Sequence, residues 1–270
     1  MTKKFIDVEE IIATKNPTLF KRLPKFVIRF LKKILHQDEV NTIIEENKDI
    51  RNEAFCSEIV ERFGLKLSVY GEENIPLNEG AIFVVNHPLG GMDAMTLVDV
   101  LSKFRTDIKF IVNDILLHLE SLKGLFVGVN KHGRSAKESL QEVENLFGSE
   151  NAIFIFPAGL VSRKVGDKVV DLEWKKTFVT QSKKHNKKVI PVYLKGQLSP
   201  FFYRLAKLRT WLGIKVNIEM LFLVNELFKQ KNKAISVTFG KPIEAARFDS
   251  SKSDKEWAQV VKNQVYSLSD

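Results

Sequence analysis

Seven short runs of apolar, largely β-branched residues alternate with helical stretches, and this predicts an α/β protein. The expected architecture is a mixed, mainly parallel sheet of about seven strands covered by helices, preceded by an N-terminal helical segment. Two further observations narrow it. The 270 residues are 44% hydrophobic, which suits one large α/β domain with a helical addition. No period of about 20–50 residues recurs, which sets repeat architectures aside.

In chain order, residues 1–75 read as a helical segment. In TLFKRLPKFVIRFLKKILH the apolar positions 19, 20, 23, 26, 27, 30, 31, 34 and 35 share one face, and positions 21, 22, 25, 29, 32 and 33 are basic. Pro24 fits only a first helical turn, so a helix can begin there. Two readings stay open for this helix. It either packs in a core or lies in a membrane interface, with Phe20, Phe26, Arg29, Phe30, Lys32 and Lys33 as the contacts.

The strand runs then follow as LSVY, AIFVVN, IKFIV, LFVGV, AIFIF, VIPVYL and AISVTF. Both-face burial explains why they are continuously apolar rather than alternating. DAMTLVDVLSKF and SAKESLQEVENLF read as intervening helices. The expected division is an α/β domain over 76–248 and a partly helical polar tail over 249–270.

Charge bounds the partners. The net charge is +9, and it is concentrated: Trp174–Ile218 holds eleven Lys or Arg and no acid, and Lys15–His36 holds seven and none. Such stretches suit nucleic acid, anionic lipid or an acidic protein. FFYRLAKLRTWLG, with its interleaved aromatics, reads either as a stacking surface for single-stranded nucleic acid or as a membrane-contact element. The single cysteine, Cys56, excludes an internal disulfide and reads as a buried small residue. The start MTKKFIDVEE is no signal peptide, and no apolar run is long enough to span a bilayer. A peripheral protein is expected.

Ligands of open α/β sheets bind beyond the carboxyl ends of strands. His87 follows AIFVVN and precedes PLGGMD. An imidazole there can accept a hydroxyl proton near neutral pH, and better still if Asp93 holds its other nitrogen. Gly90 and Gly91 allow the return turn, although Asp93 also reads as a plain helix cap. Beyond LFVGV lie Asn130, Lys131 and Arg134. After AIFIF come Phe156, Pro157, Ala158 and Gly159, with Ser162 and Arg163 behind them. A glycine turn flanked by cations suits an anionic or oxyanionic ligand. His36, His118, His132 and His185 read as structural or solvated.

NHPLGGMD, GLFVGVN, FPAGLVS and VIPVYL, in this order, resemble the motifs of the glycerophosphate and lysophosphatidate acyltransferase family over about residues 65–245. NHPLGG, FPAGLVSRK and GKPI are most similar to its bacterial hemolysin-like branch, which includes O-acyltransferases of lyso-ornithine and lyso-glycine lipids. Five residues separate His87 from Asp93, where the family has four. Asn130 stands at the arginine of the second motif, with Lys131 or Arg134 as substitutes. Ala158 stands at the glutamate of the third, and Leu160 and Val161 at its Thr-Arg.

The resemblance implies His87 as general base oriented by Asp93, with no metal, bound cofactor or covalent enzyme intermediate. The reaction it implies is O-acyl transfer from an acyl carrier protein or coenzyme A thioester to a lysolipid hydroxyl, at the cytoplasmic face of a membrane. With the motif cations missing, a lyso-amino-acid lipid is the favoured acceptor and lysophosphatidate the alternative. A thioester hydrolase and a nucleic-acid-binding module are the competing readings.

Overall fold

The computed structural model describes residues 5–113, 119–129 and 135–269. They form two compact units. One combines Met1–Ile50 with Ser199–Gln230, and the other combines Arg51–Leu198 with Lys231–Asp270. The boundary expected near residue 75 falls instead at residue 50. Residues 51–75 belong with the sheet because they contain a core-packed helix and an edge strand.

In the sheet unit, helix α5 (Asn52–Arg62) leads into β1 (Lys66–Tyr70), β2 (Ala81–Val85), α6 (Gly91–Leu101) and β3 (Ile108–Asn113). Next come β4 (Phe126–Val129), α7 (Ser135–Gly148), β5 (Ala152–Ile155) and a hairpin of β6 (Arg163–Val165) and β7 (Lys168–Val170). The unit closes with α8 (Thr177–His185), β8 (Lys188–Lys195), β9 (Ala234–Phe239) and α11 (Asp254–Tyr266). Seven strands make one sheet in the order β1-β9-β8-β2-β5-β3-β4. Every neighbouring pair is parallel except β8 with β9. All seven apolar runs became these seven strands. The β6–β7 hairpin was not foreseen, because its polar residues RKV and KVV carry little strand signal.

The central strand β2 is buried at all five positions. Its alternate side chains serve two layers. Ile82 and Val84 join an apolar cluster with Val143 and Phe147 of α7, Phe178 and Val179 of α8, and Trp257, Val261 and Val265 of α11. Phe83 points the other way and stacks on Phe154 at 4.6 Å between ring centres, which in turn stacks on Phe110 at 4.9 Å. Such aromatic pairs contribute about 0.5–1.5 kcal/mol each beyond their buried area. The polar "tail" is therefore a structural layer. Ser253 and Glu256 form a capping box that starts α11, and its apolar face closes the core.

The sheet grows outward from β2 in both directions. From β2 the chain moves to β3 and β4, returns to β5 beside β2, then crosses to β8 on β2's other side. The carboxyl ends of β2 and β5 thus meet at a topological switch point, where such sheets bind ligands.

The helical unit contains α1 (Val8–Lys15), α2 (Pro17–Arg22), α3 (Lys25–Ile34), α4 (Gln37–Glu46), α9 (Pro200–Trp211) and α10 (Leu223–Phe228). Pro24 breaks the 19–35 run, as its missing N–H requires, and sits as the cap of α3. The insertion between β8 and β9 joins the N-terminal helices through an aromatic chain. Phe30 meets Phe222 at 6.3 Å, and Phe222 meets Phe201 at 5.0 Å. His36 stacks on Phe228 at 4.1 Å and bonds Asn225, a structural role as expected. No described helix is long and apolar enough to cross a membrane.

Candidate active site

The parallel register pairs Val84 with Ile155, so Val85, the last residue of β2, is level with Phe156, the first beyond β5. Asn86 then terminates β2. Its side-chain amide donates to the Leu194 carbonyl at 2.9 Å and accepts the Leu194 N–H at 2.7 Å. The buried side chain replaces a ladder that the strand has left, and this fixes where the next residue emerges. That residue is His87.

The His87 ring is held on two sides. Nδ1 lies 2.8 Å from Asp93 Oδ2, and the ring stacks on Phe156 with centres 4.2 Å apart. Its side chain is 19% exposed, and no described residue hydrogen-bonds Nε2. The return turn depends on Gly90, whose φ of 70° and ψ of −129° suit only glycine.

Asp93 lies inside the first turn of α6 rather than at its cap. It is completely buried, and both its oxygens also accept the Leu89 N–H, at 3.1 and 3.0 Å. Burial drives its carboxyl above the ordinary carboxylate range, opposed first by the hydrogen bond from His87. When Asp93 is ionised it only accepts, so Nδ1 must be the donor and Nε2 is left as the acceptor.

On the β5 side, a turn closed by the Gly159 N–H bonding the Phe156 carbonyl at 2.9 Å follows the strand. Gly159 has φ +68°, and a Cβ there would meet Lys175 Nζ at 3.0 Å. Of the residues in this turn, Phe156 lies against the His87 ring, while the Pro157 carbonyl accepts the Lys175 N–H at 3.1 Å. Ala158 and Ser162 do not offer their side chains to a ligand. Ala158 is packed into the apolar cluster, and Ser162 is fully buried with its hydroxyl 2.6 Å from Asp171 Oδ1. Both were expected among the binding residues. They turn inward because the 157–162 segment must cover Trp174 and the end of β5. Arg163 folds back to donate to the Val161 carbonyl at 2.6 Å. Asn130, Lys131 and Arg134, with His118 and His132, lie outside the described residues.

The buried carboxylate of Asp171 was missed. It accepts the His87 backbone N–H at 3.1 Å and the Trp174 indole N–H at 2.8 Å. DLEW offered a weak signal: an acid within an apolar-aromatic context, far from any helix start that would need a cap. Cys56 is buried beside Met95, and burial raises its thiol pKa, so it is an inert packing residue. A concavity of about 470 Å³ bordered by Leu77, Phe104 and Asp107 lies at the amino ends of the strands, away from His87. Its Arg105 is fully engaged by Asp107 and by the Pro76, Glu79 and Glu150 carbonyls.

A strand-end imidazole backed by a buried carboxylate, opposite a glycine turn on the neighbouring strand, is an arrangement suited to acyl transfer to a hydroxyl. The acyltransferase family model matches residues 10–270, and the chain belongs to that family. It is an acyltransferase of lipid biosynthesis. It is 45% identical to a lyso-glycine lipid O-acyltransferase of Bacteroides thetaiotaomicron, over 97% of both chains. It is 42% identical to a lyso-glycine lipid O-acyltransferase of Phocaeicola vulgatus, over 97% of this chain and 95% of that one. A solved structure, the 1-acyl-sn-glycerophosphate acyltransferase PlsC from Thermotoga maritima, overlays with a TM-score of 0.48 and 19% identity, covering 89% of this chain and 95% of that one.

Proposed function

We propose that the protein esterifies the free hydroxyl of a lyso-glycine lipid with a fatty acyl group taken from an acyl carrier protein or coenzyme A thioester. The observation that carries the chemistry is the 2.8 Å contact of His87 with buried Asp93 at the carboxyl edge of β2. The acceptor rests on near full-length identity to two lyso-glycine lipid O-acyltransferases.

His87 Nε2 takes the hydroxyl proton as the oxygen attacks the thioester carbonyl carbon. Asp93 stabilises the imidazolium so formed. The tetrahedral oxyanion collapses, the C–S bond breaks, and the thiolate regains the proton from His87. An ester and a free thiol result. Phe156, against the imidazole, restricts the ring's rotation and shields it from water.

The head-group assignment has local support. Where the resembled family carries the glutamate and arginine of its third motif, this chain has Ala158 and Val161, both buried and apolar. A phosphate dianion would lack those contacts, each charge-assisted bond contributing roughly 1.5–3 kcal/mol.

The protein acts peripherally, on the cytoplasmic face of an anionic membrane, with α3 as one contact. The helix is two-sided. Ile28 and Ile34 are buried, whereas Phe26 is 66% and Phe30 50% exposed beside exposed Arg29 and Lys33. Phe20 is half-buried, and Lys32 pairs with Glu9 at 3.2 Å, so neither is a free contact. In the same unit Trp211 is 80% exposed, next to exposed Arg204, Lys207 and Leu208. Exposed aromatics among cations suit the lipid interface. The acid-free stretch also suits an acidic carrier protein.

The test offers purified enzyme one acyl thioester with lyso-glycine lipid or lysophosphatidate. Faster acylation of the lyso-glycine lipid is expected. Faster acylation of lysophosphatidate overturns the head-group assignment and leaves the reaction class standing.

A further inference from the structure

Asp171 is 4% exposed and takes no part in the proton transfer described above. Its Oδ1 accepts the His87 backbone N–H at 3.1 Å and the Ser162 hydroxyl at 2.6 Å. Its Oδ2 accepts the Trp174 indole N–H at 2.8 Å. The Ser162 N–H in turn donates to the His87 carbonyl at 2.8 Å. Both backbone polar groups of His87 are therefore held by the segment 162–171.

That segment is itself braced by α11. The Asp171 N–H donates to the Tyr266 hydroxyl at 2.7 Å, and Lys262 Nζ donates to the Asp171 and Leu172 carbonyls at 2.7 and 3.0 Å. Trp174 is buried in the apolar cluster.

Burying a carboxylate is costly unless donors fill its lone pairs. Three donors converge here on two atoms, and only a carboxylate accepts at both. An amide would turn an N–H toward one of the donors. A neutral loop brace would need no such group. What distinguishes this one is its address: it fixes the backbone of the residue whose ring must sit between Asp93 and Phe156, and Phe156 comes from the other strand end.

We infer that Asp171 is a positioning residue for acyl transfer, its carboxylate clamping the His87 backbone to the Ser162 loop so that the imidazole is held at its working place between the ends of β2 and β5. The inference rests on His87 as the base.

Steady-state acyl transfer by the full chain tests it, with His87→Ala measured alongside. Misplacing a reacting group by about 1 Å can cost on the order of 100-fold, so Asp171→Asn should lower kcat by about that factor. KM for both substrates should stay within about threefold, because binding surfaces are untouched. Ser162→Ala should lower kcat by about tenfold, and the double variant should be no slower than Asp171→Asn within about twofold, since both act through one oxygen. Trp174→Phe removes the donor on Oδ2 alone. It should lower the thermal midpoint while keeping kcat within about threefold, consistent with a role in packing.

A kcat within threefold of wild type in folded Asp171→Asn overturns the inference, as do losses that multiply in the double variant. If Asp171→Asn does not fold, Ser162→Ala decides: an unchanged kcat overturns the clamp, and so does a loss expressed in KM alone. An inactive His87→Ala beside fully active clamp variants removes the clamp only. An active His87→Ala removes the base itself.

Discussion

The two units treat aromatic side chains in opposite ways. In the sheet unit Phe83, Phe154 and Phe110 are buried and stack in a row across neighbouring strands, Phe239 meets Phe83 edge-on, and Phe156 continues the row to His87. In the helical unit Phe26, Phe30, Phe201 and Trp211 are exposed among lysines and arginines. A sheet covered on both faces leaves nowhere for apolar side chains but inside, and it can hold one polar pair rigidly at its edge. Short helices bury a narrower stripe, and what lies outside that stripe is free to meet another surface. In the proposed function, that difference separates chemistry at the sheet edge from membrane contact by the helices.

Asp93→Asn should sharpen the comparison most. An amide in place of the carboxylate offers N–H to His87 and favours the wrong tautomer. The rate should fall on the order of 100- to 10,000-fold. Stability should move the other way. Burial raises the Asp93 pKa, so between the ordinary 3.8 and its folded value the unfolded chain ionises first. Wild-type stability therefore falls as pH rises through that window, and the variant escapes the loss. Thermal melts should show Asp93→Asn no less stable than wild type at pH 7, with the advantage vanishing toward pH 4. A less stable but active variant would contradict both halves.

A medium effect belongs to the helical unit. Phe26→Ala with Phe30→Ala should weaken co-sedimentation with anionic vesicles by roughly tenfold or more, given about 1.5–3 kcal/mol for a fully buried side chain. Arg29→Glu with Lys33→Glu should weaken it further at low salt, at about 1 kcal/mol per cation. Activity on detergent-dispersed acceptor should be retained. Unchanged vesicle binding would break the proposed division of labour. The smallest effect is that of Cys56→Ala. The buried, unreactive thiol packs against Met95, so the change should cost about 1 kcal/mol of stability and leave turnover within about twofold.

Much of this was legible in the sequence because period and punctuation carry it. The seven apolar runs mark the seven strands, and His87 followed by PLGGMD marks a strand end with a return turn. The helical unit was only half legible. The 19–35 periodicity placed Phe26 and Phe30 on one apolar face, with core and membrane both open to it, but it omitted Ile28, which is buried. A helix with apolar residues on two sides has no single face for periodicity to find. The roles of Asn86, Ser162 and Asp171 were hidden for another reason, although Ser162 itself had been singled out as a ligand contact. Their importance comes from contacts across 108, 9 and 84 positions that no local pattern encodes. The joining of 199–230 to the N-terminal helices is likewise a tertiary fact, carried by Phe30, Phe222 and Phe201.

The central claim is that a strand-end imidazole supplies the base for ester formation. The most direct measurement is the single-turnover rate of His87→Ala with lyso-glycine lipid and an acyl thioester, on protein whose thermal midpoint matches wild type. The account predicts a loss on the order of 100- to 10,000-fold, with vesicle binding unaltered. Turnover near the wild-type rate in that folded variant would contradict it.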